Sequence, residues 1–461
     1  MYQPHPFDER LAAVLPPASL YAVGGRVRDE LRATIEGIEL PAKDLDYVVT
    51  GVSLDLLTAE LRTVGRVDLV GAAFAVLKVT IDGVTADVAL PRFEWSTGTG
   101  HREFRVQSGP DVPLEADLAR RDFRMNMIAR ALPSGKLVDP YGGEADIRDR
   151  RIDVLTPVAF QEDPLRMLRA AQFAARFEYE PTPETVEAMQ AAAPLVATVA
   201  AERIHDELMK LFALASRPSI GLRLLERTGV LARIWPELLE GVGVEQNEWH
   251  AYDVWNHNLA SMDATPPGDA TLRLAALLHD VGKPRTKEGP HFYRHEHVGA
   301  DMARDMLSRL RFSNESVATV EHLVRQHMYA QDPQLSDAGV RRFIRRIGPA
   351  NLARQFAVRH ADIAGSGLPK RDDSNERFEA RVWAEVERKP AFSVADLAID
   401  GSDVIAALVA RGAAPPGFRG DARVGELLQW LFEQVTEEPE RNERQTLLAL
   451  LAEHLSASGT I

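Results

Sequence analysis

Two short stretches carry the densest chemistry in the sequence: Gly24-Gly25-Arg26-Val27-Arg28-Asp29 and Lys43-Asp44-Leu45-Asp46-Tyr47. The apolar run over 20–23 reads as a buried strand. Gly24-Gly25 then lets the backbone approach an anion closely, because no Cβ intervenes. The helix starting at Arg26 offers its N-terminus to phosphate. Asp44 and Asp46 alternate with Leu45 in a second strand over 45–49, so both carboxylates leave the same sheet face. Side by side they repel each other unless a cation lies between them, and Mg²⁺ or Mn²⁺ is the natural occupant. A Gly-Gly loop for a triphosphate and a carboxylate pair for metal together describe nucleotidyl transfer by a two-metal route.

A second constellation lies in the latter half. His257 precedes an apolar helical segment over 272–278, which ends in His279-Asp280-Val281-Gly282-Lys283. His295, His297, His322, His327 and His360-Ala361-Asp362 follow. Adjacent His and Asp at the end of a buried helix are costly unless partnered. Imidazole nitrogens and carboxylate oxygens suit Mn, Fe, Ni or Zn better than Mg alone.

These residues need substantial scaffolding, and 461 residues suffice for two to four domains. Residues 1–150 read as α/β. A hairpin is expected from 69–81 and 84–90 across the turn Asp82-Gly83. On its second strand Val84, Ala86 and Val88 face one way and Asp87 the other. Helical periodicity takes over in 151–240, where Leu165, Leu168 and Ala175 share one face and Glu162, Arg166 and Arg169 another. Read plainly, Glu162 and Arg166 are an i,i+4 pair. Residues 241–368 hold the histidine constellation, and 369–461 form a helical tail behind a polar linker over 369–375. Arg341-Arg342-Phe343-Ile344-Arg345-Arg346 is a basic helix, read as a solvated face or as a contact to RNA phosphate. With no cysteine there is no disulfide framework or thiolate metal site, and the cytoplasm is the default. No membrane span and no secretory signal are expected. A net charge of −14 argues against a non-specific nucleic-acid coat, though not against an RNA enzyme with clustered arginines.

The two strand-end motifs resemble the nucleotidyltransferase superfamily of DNA polymerase β. More closely, they resemble the class II tRNA nucleotidyltransferase (CCA-adding enzyme) and bacterial poly(A) polymerase family, with Leu31-Arg32-Ala33 where that family has Leu-Leu-Gly. Arg120-Arg121-Asp122-Phe123-Arg124-Met125-Asn126 matches the family's next motif, except that Met127 stands for Ala. The resemblance implies that Asp44 and Asp46 hold Mg²⁺ and that Gly24, Gly25 and Arg28 cradle the triphosphate. It implies that Asp122 meets the ribose while Arg121 and Asn126 hold sugar and phosphate. Asp163 and Arg166 would read the base, Arg as a planar fork and Asp as an acceptor. Asp87 is a candidate third acid, with a plain surface Asp as the alternative. The loop over 96–101 resembles a mobile loop implicated in switching from C to A addition. Asp139-Pro140-Tyr141-Gly142-Gly143 looks like a join between head and neck, and Glu202 to Leu208 like a neck motif for phosphate contact and packing.

The histidine spacing looks like an HD-domain metal phosphohydrolase. His257, His279, Asp280 and Asp362 would make the basic site, and His297 and His327 would extend it to two metals, with Mn²⁺, Ni²⁺ or another transition metal preferred. The fold expected is α+β: a polymerase-β-like nucleotidyltransferase head, an all-α neck, an HD-containing body and a helical tail that supports tRNA. The activity expected is template-independent CCA addition to tRNA from CTP and ATP. The alternatives are a partial enzyme adding only CC or only A, a poly(A) polymerase, or an HD phosphohydrolase whose head merely binds RNA. The sequence leaves the oligomeric state open.

Overall fold

The computed structural model describes residues 4–40, 45–70, 76–96, 104–330, 332 and 334–457. Asp44 and residues 97–101 of the expected switching loop lie outside them. The chain forms two compact units. The first runs to Glu240 and includes Pro266–Ala270 and Met306–Ser313; the second holds the remaining residues.

The head of the first unit is built on the strands β1 (Leu20–Val23), β2 (Asp46–Val49), β3 (Arg66–Val70), β4 (Val76–Ile81), β5 (Val84–Ala89), β6 (Arg92–Ser96), β7 (Phe104–Ser108), β8 (Ala129–Ala131) and β9 (Leu137–Val138). Seven make one mixed sheet in the order β3-β4-β5-β2-β1-β8-β9, and β6 pairs only with β7. Every pairing in the large sheet is antiparallel except β2 with β5, whose parallel register sets Asp46 beside Asp87. Asp82 and Gly83 both take positive φ, as a two-residue turn between right-twisted strands requires. The expected single strand over 69–81 is instead two, β3 and β4, paired antiparallel with each other.

Helix Gly25–Glu36 buries Val27 and Leu31 and stops at Gly37 in the left-handed conformation. Its N-cap, Gly24, has no side chain to satisfy the first-turn N–H groups. Arg26 is not available to a ligand: its guanidinium donates to both oxygens of buried Asp8 and to the Tyr47 hydroxyl. It ties the helix to the N-terminal segment.

The neck departs from expectation at one point. Instead of one helix through Asp163-Pro164, a short helix Ala159–Glu162 ends and a longer one, Arg166–Phe177, begins. Asp163 is extended, with φ −137° and ψ 96°. Clash with the following proline ring disfavours helical geometry there. Asp163 and Arg166 therefore stand at a junction, not along one helix face.

The second unit is helical. Helix Val254–Asp263 packs along helix Leu352–Gly365, and a Cβ on Gly365 would lie 2.2 Å from the Ser261 hydroxyl. Only glycine permits that approach, which brings His257 to the Asp362 end of its neighbour. The basic helix is solvated only in part, with Arg342 and Arg346 exposed and Arg341 buried. Helix Asp337–Ile347 sets three of its arginines against helix Ala422–Glu437. Arg341 is buried, donating to the Thr436 and Glu437 carbonyls and to Glu385, while Arg342 pairs with Glu437 and Arg345 with Glu433. The charge holds the tail in place.

Candidate functional sites

In the first unit, Gly24 is the hub. Its φ is +72°, and a Cβ there would lie 3.0 Å from Arg121 Nη1 and 3.6 Å from Asp46 Oδ2. Gly24 backbone, Asp46 carboxylate and Arg121 guanidinium thus meet at the ends of β1 and β2. Asp87 is half exposed, 4.0 Å from Lys78, and shares the Asp46 face by register. Gly24→Ala is expected to strain the backbone by about 1–3 kcal/mol and to push Arg121 away. Nucleotide addition should fall more than the melting temperature does, which parallel activity and thermal-unfolding measurements check.

Arg28, Asn126, Asp122 and Arg169 form one chain of bonds. Arg28 Nη1 donates to Asn126 Oδ1 at 2.8 Å, and Asn126 Nδ2 donates to Asp122 Oδ1 at 2.8 Å. The Phe123 N–H shares that oxygen, and Arg169 Nε and Nη2 engage Asp122 Oδ2. Four donors fill the usual capacity of a carboxylate, so a ribose hydroxyl must displace one of them. Burial works against the charge on Asp122, but Arg169 and Asn126 hold its pKa below the ordinary value. Beneath the chain, Arg28 lies over the Phe173 and Phe177 rings. Arg121 is braced by Asp117 at 3.1 Å. Arg166 Nη2 donates to the Arg120 carbonyl at 2.7 Å, and its Glu162 contact is 3.5 Å. Asp163 meets Arg203 at 3.3 Å. Arg169 is a site residue that the sequence placed on a helix face without a role, whereas Arg203 falls within the neck motif Glu202–Leu208.

The second unit brings His257, His279, Asp280 and Asp362 together. Nε2 atoms of His257 and His279 lie 3.0 Å apart. Asp280 Oδ2 is 3.4 Å from each, and Asp362 Oδ1 is 3.3 and 3.6 Å away. On the other side of the same carboxylate, Asp280 Oδ1 lies 3.2 Å from His295 Nε2 and 3.6 Å from His327 Nε2, which are 3.2 Å apart. Asp280 is shared by two triads.

The outer nitrogens fix the tautomers. Nδ1 of His257, His279, His295 and His327 faces the carbonyl of Gly365, Ala276, Phe292 and Val324 respectively. A carbonyl only accepts, so each Nδ1 carries the proton and each Nε2 presents a lone pair inward. Lone pairs at 3.0 Å repel unless positive charge lies between them. Two nitrogens about 2.1 Å from one octahedral ion stand roughly 3.0 Å apart. The donor set therefore fits a divalent transition metal. The carboxylates draw positive charge into the centre: burial opposes a cationic His279, yet Asp280 and Asp362 outweigh it and lift its pKa to about 10, so a metal ion there must take the place of the Nε2 proton. Burial and Lys283 push His250 down to about 3, so this neighbour of His257 stays neutral.

His297 is a correction. It stands outside the cluster, with its side chain 43% exposed and Nδ1 3.3 Å from Arg325 Nη1. His295 takes the inward place. The two are separated by about 200° around a helix, so only one can face the centre.

Similarity to known proteins follows the same division of the chain. The family model for the poly A polymerase head domain matches residues 20–153. That for the probable RNA and SrmB-binding site of polymerase A matches 178–241, and the HD domain model matches 255–368. A multifunctional CCA protein of Nitrosococcus oceani is 35% identical over 389 residues, covering 80% of this chain and 92% of that protein. One from Stenotrophomonas maltophilia is 37% identical over 363 residues, covering 75% and 86%. The chain belongs to the multifunctional CCA protein family.

Solved CCA-adding enzymes share the fold of this family member. The Bacillus stearothermophilus enzyme, in complex with CTP, superposes with a TM-score of 0.63 at 23% identity, covering 95% of this chain and 94% of that one. The Thermotoga maritima enzyme, complexed with tRNA, gives 0.56 at 20% identity, covering 97% and 98%. The head and HD regions of this chain both imply divalent metal use, and in the HD region the histidine triads are groups able to hold such an ion. No described helix is long and apolar enough to cross a membrane.

Proposed function

We propose that this multifunctional CCA protein family member builds CCA onto tRNA 3′ ends from CTP and ATP. The observation that carries the reading is the meeting of Asp46, the Gly24 backbone and Arg121 at one pair of strand ends. The tRNA 3′ hydroxyl attacks the α-phosphate, the bond to the β-phosphate bridging oxygen breaks, and pyrophosphate leaves. Asp44 and Asp46 offer only hard oxygens, which suits Mg²⁺. When bound, Mg²⁺ would supply charge neutralisation at the α-phosphate and the departing pyrophosphate. The uncapped first turn at Gly24-Gly25 and the Arg28 and Arg121 guanidiniums supply donors to the triphosphate. Arg169 and Asn126 hold Asp122 in place behind them. The helical tail supports the tRNA body. Such work belongs in the cytoplasm, where tRNA and nucleoside triphosphates meet. The relatives are named for CCA, which favours full addition over CC-only, A-only or poly(A) synthesis.

Asp163 and Arg166 choose the base. Arg166→Ala is expected to reduce discrimination of CTP and ATP against UTP and GTP by about tenfold or more, the worth of one bidentate contact. Competition assays with all four nucleotides check this. A variant as selective as the parent would make the junction purely structural.

The histidine centre is a metal-dependent phosphohydrolase that prefers Mn²⁺, Ni²⁺ or a similar ion. His257, His279, Asp280 and Asp362 would hold one ion, and His295 and His327, with Asp280, would hold a second. A bound ion would supply Lewis acidity toward a phosphoryl oxygen. Lys283 and Arg359 stand beside it to receive phosphate charge. In the reaction the ester P–O bond breaks, and water supplies the new P–OH and the proton of the departing alcohol. Removing a phosphate from a damaged tRNA end would expose the hydroxyl that the head requires. Hydrolysis of a 2′,3′-cyclic phosphate with Mn²⁺ or Ni²⁺, lost in His279→Ala, tests it; no hydrolysis with any divalent ion would refute it.

A further inference from the structure

The cavity above the histidine centre is larger than a phosphate needs. Its volume is about 600 Å³, which is ample for a whole nucleotide. Its floor holds Asp280, His295, His327 and Asp362, and its walls add the cations Lys283, Arg359, Lys370 and Arg371. Its rim is apolar. Trp249 is 50% exposed, Tyr293 60% and Met328 54%, among the most exposed large apolar side chains of the described residues, and all three line this one cavity. Such clustering marks a binding surface, because scattered exposed residues carry no such message.

Trp249 is also held in a defined pose. The Arg371 guanidinium lies 3.4 Å from its ring centroid, an arginine–aromatic stack. Arg371 comes from the segment over 369–375 that the sequence suggests is a mere linker. Lys370, Ser374 and Asn375 from the same segment line the cavity too. A linker with no role at the site has no reason to place a planar cation on an exposed indole beside metal ligands. Phosphate and cation-stacked aromatics together fit one chemical class: a nucleotide, whose phosphate meets the floor while its flat base covers the rim. Every base has a π-face, so a stacking platform accepts any of them.

We propose that Trp249, stacked on Arg371 at the rim of the cavity that Tyr293 also lines, is a nucleobase platform. It makes the centre selective for phosphate esters at nucleotide or RNA ends over small phosphates that lack a base. The proposal rests on the phosphohydrolase reading for its consequence, but base binding itself does not need hydrolysis. The test uses full-length protein stripped of metal, titrated calorimetrically with cytidine 3′-phosphate and with glycerol 2-phosphate. The parent should bind the nucleotide more tightly. Trp249→Ala should weaken nucleotide binding by about tenfold, as expected for one lost base–aromatic stack, and Trp249→Phe should restore most of it. In the metal-loaded protein, the ratio of kcat/KM for the nucleotide over glycerol 2-phosphate should fall by a similar factor in Trp249→Ala. If the parent binds both phosphates equally, or Trp249→Ala binds the nucleotide as the parent does, the platform is refuted. If the parent hydrolyses nothing yet shows Trp249-dependent nucleotide binding, the platform stands and the hydrolase reading fails.

Discussion

Asp46→Ala is expected to abolish nucleotide addition, lowering kcat/KM by at least about 10³-fold, a loss of roughly 4 kcal/mol in transition-state stabilisation. Asp46 opens β2 half-buried, with its carboxylate toward Gly24 and Arg121 and its strand paired on both sides. Its backbone bonds do not depend on its side chain. Truncation therefore removes a carboxylate ligand without removing core packing, and the melting temperature should move by only a few degrees. Transition-metal content and any phosphoesterase activity should stay at parental levels, because the histidine centre draws on none of these strands. The check is one preparation assayed for primer extension, thermal unfolding and metal content. Retained addition would remove Asp46 from the chemistry. Loss of both activities in a folded variant would sink the claim of separate sites.

The second large effect concerns Asp280. Its two oxygens serve two histidine pairs, and Lys283 Nζ lies 2.5 Å from Oδ2. Outer-shell changes alone cost about 10–100-fold in metal affinity, so losing a shared ligand should cost at least about 100-fold at both triads. His279→Ala with Asp280→Ala should empty the centre and end hydrolysis, while addition by the head continues. His327→Ala touches only one triad and should lower metal content by about half under conditions that load the parent fully. Elemental analysis after dialysis against Mn²⁺ or Ni²⁺ gives the ratios. Equal loss in His327→Ala and the double variant would argue for one ion held by all the ligands together.

Much of this was legible in the sequence where the signal is local. Gly24-Gly25 announces a close backbone approach, and at Gly24 a Cβ would lie 3.0 Å from Arg121 Nη1. Asp82-Gly83 announces a tight turn. His279-Asp280 at the end of an apolar helix announces a buried polar centre, because so costly a pair needs a reason. The illegible parts depend on distant partners. Arg169 reads as one more charge on a neck helix until Asp122, 47 positions earlier, folds against it. Arg341, Arg342 and Arg345 read as surface charges because their partners lie far downstream: Glu385 44 residues beyond Arg341, and Glu433, Glu437 and two carbonyls about 90 residues on. His295 and His297 are equivalent by type and spacing. Only the packing around helix His295–Arg309 decides which faces inward.

The most direct measurement takes purified protein, tRNA ending just before its CCA, and CTP and ATP singly and together. Products are resolved to the nucleotide. The account predicts two added residues with CTP alone, no lasting addition with ATP alone, and three with both, the last being A. It predicts no extension by Asp46→Ala under any mixture, and full extension by the His279→Ala, Asp280→Ala double variant. A ladder of many A residues with ATP alone would mean a poly(A) polymerase. No extension by the parent at all, in protein that still hydrolyses a phosphoester, would contradict the account and leave the head as an RNA-binding module.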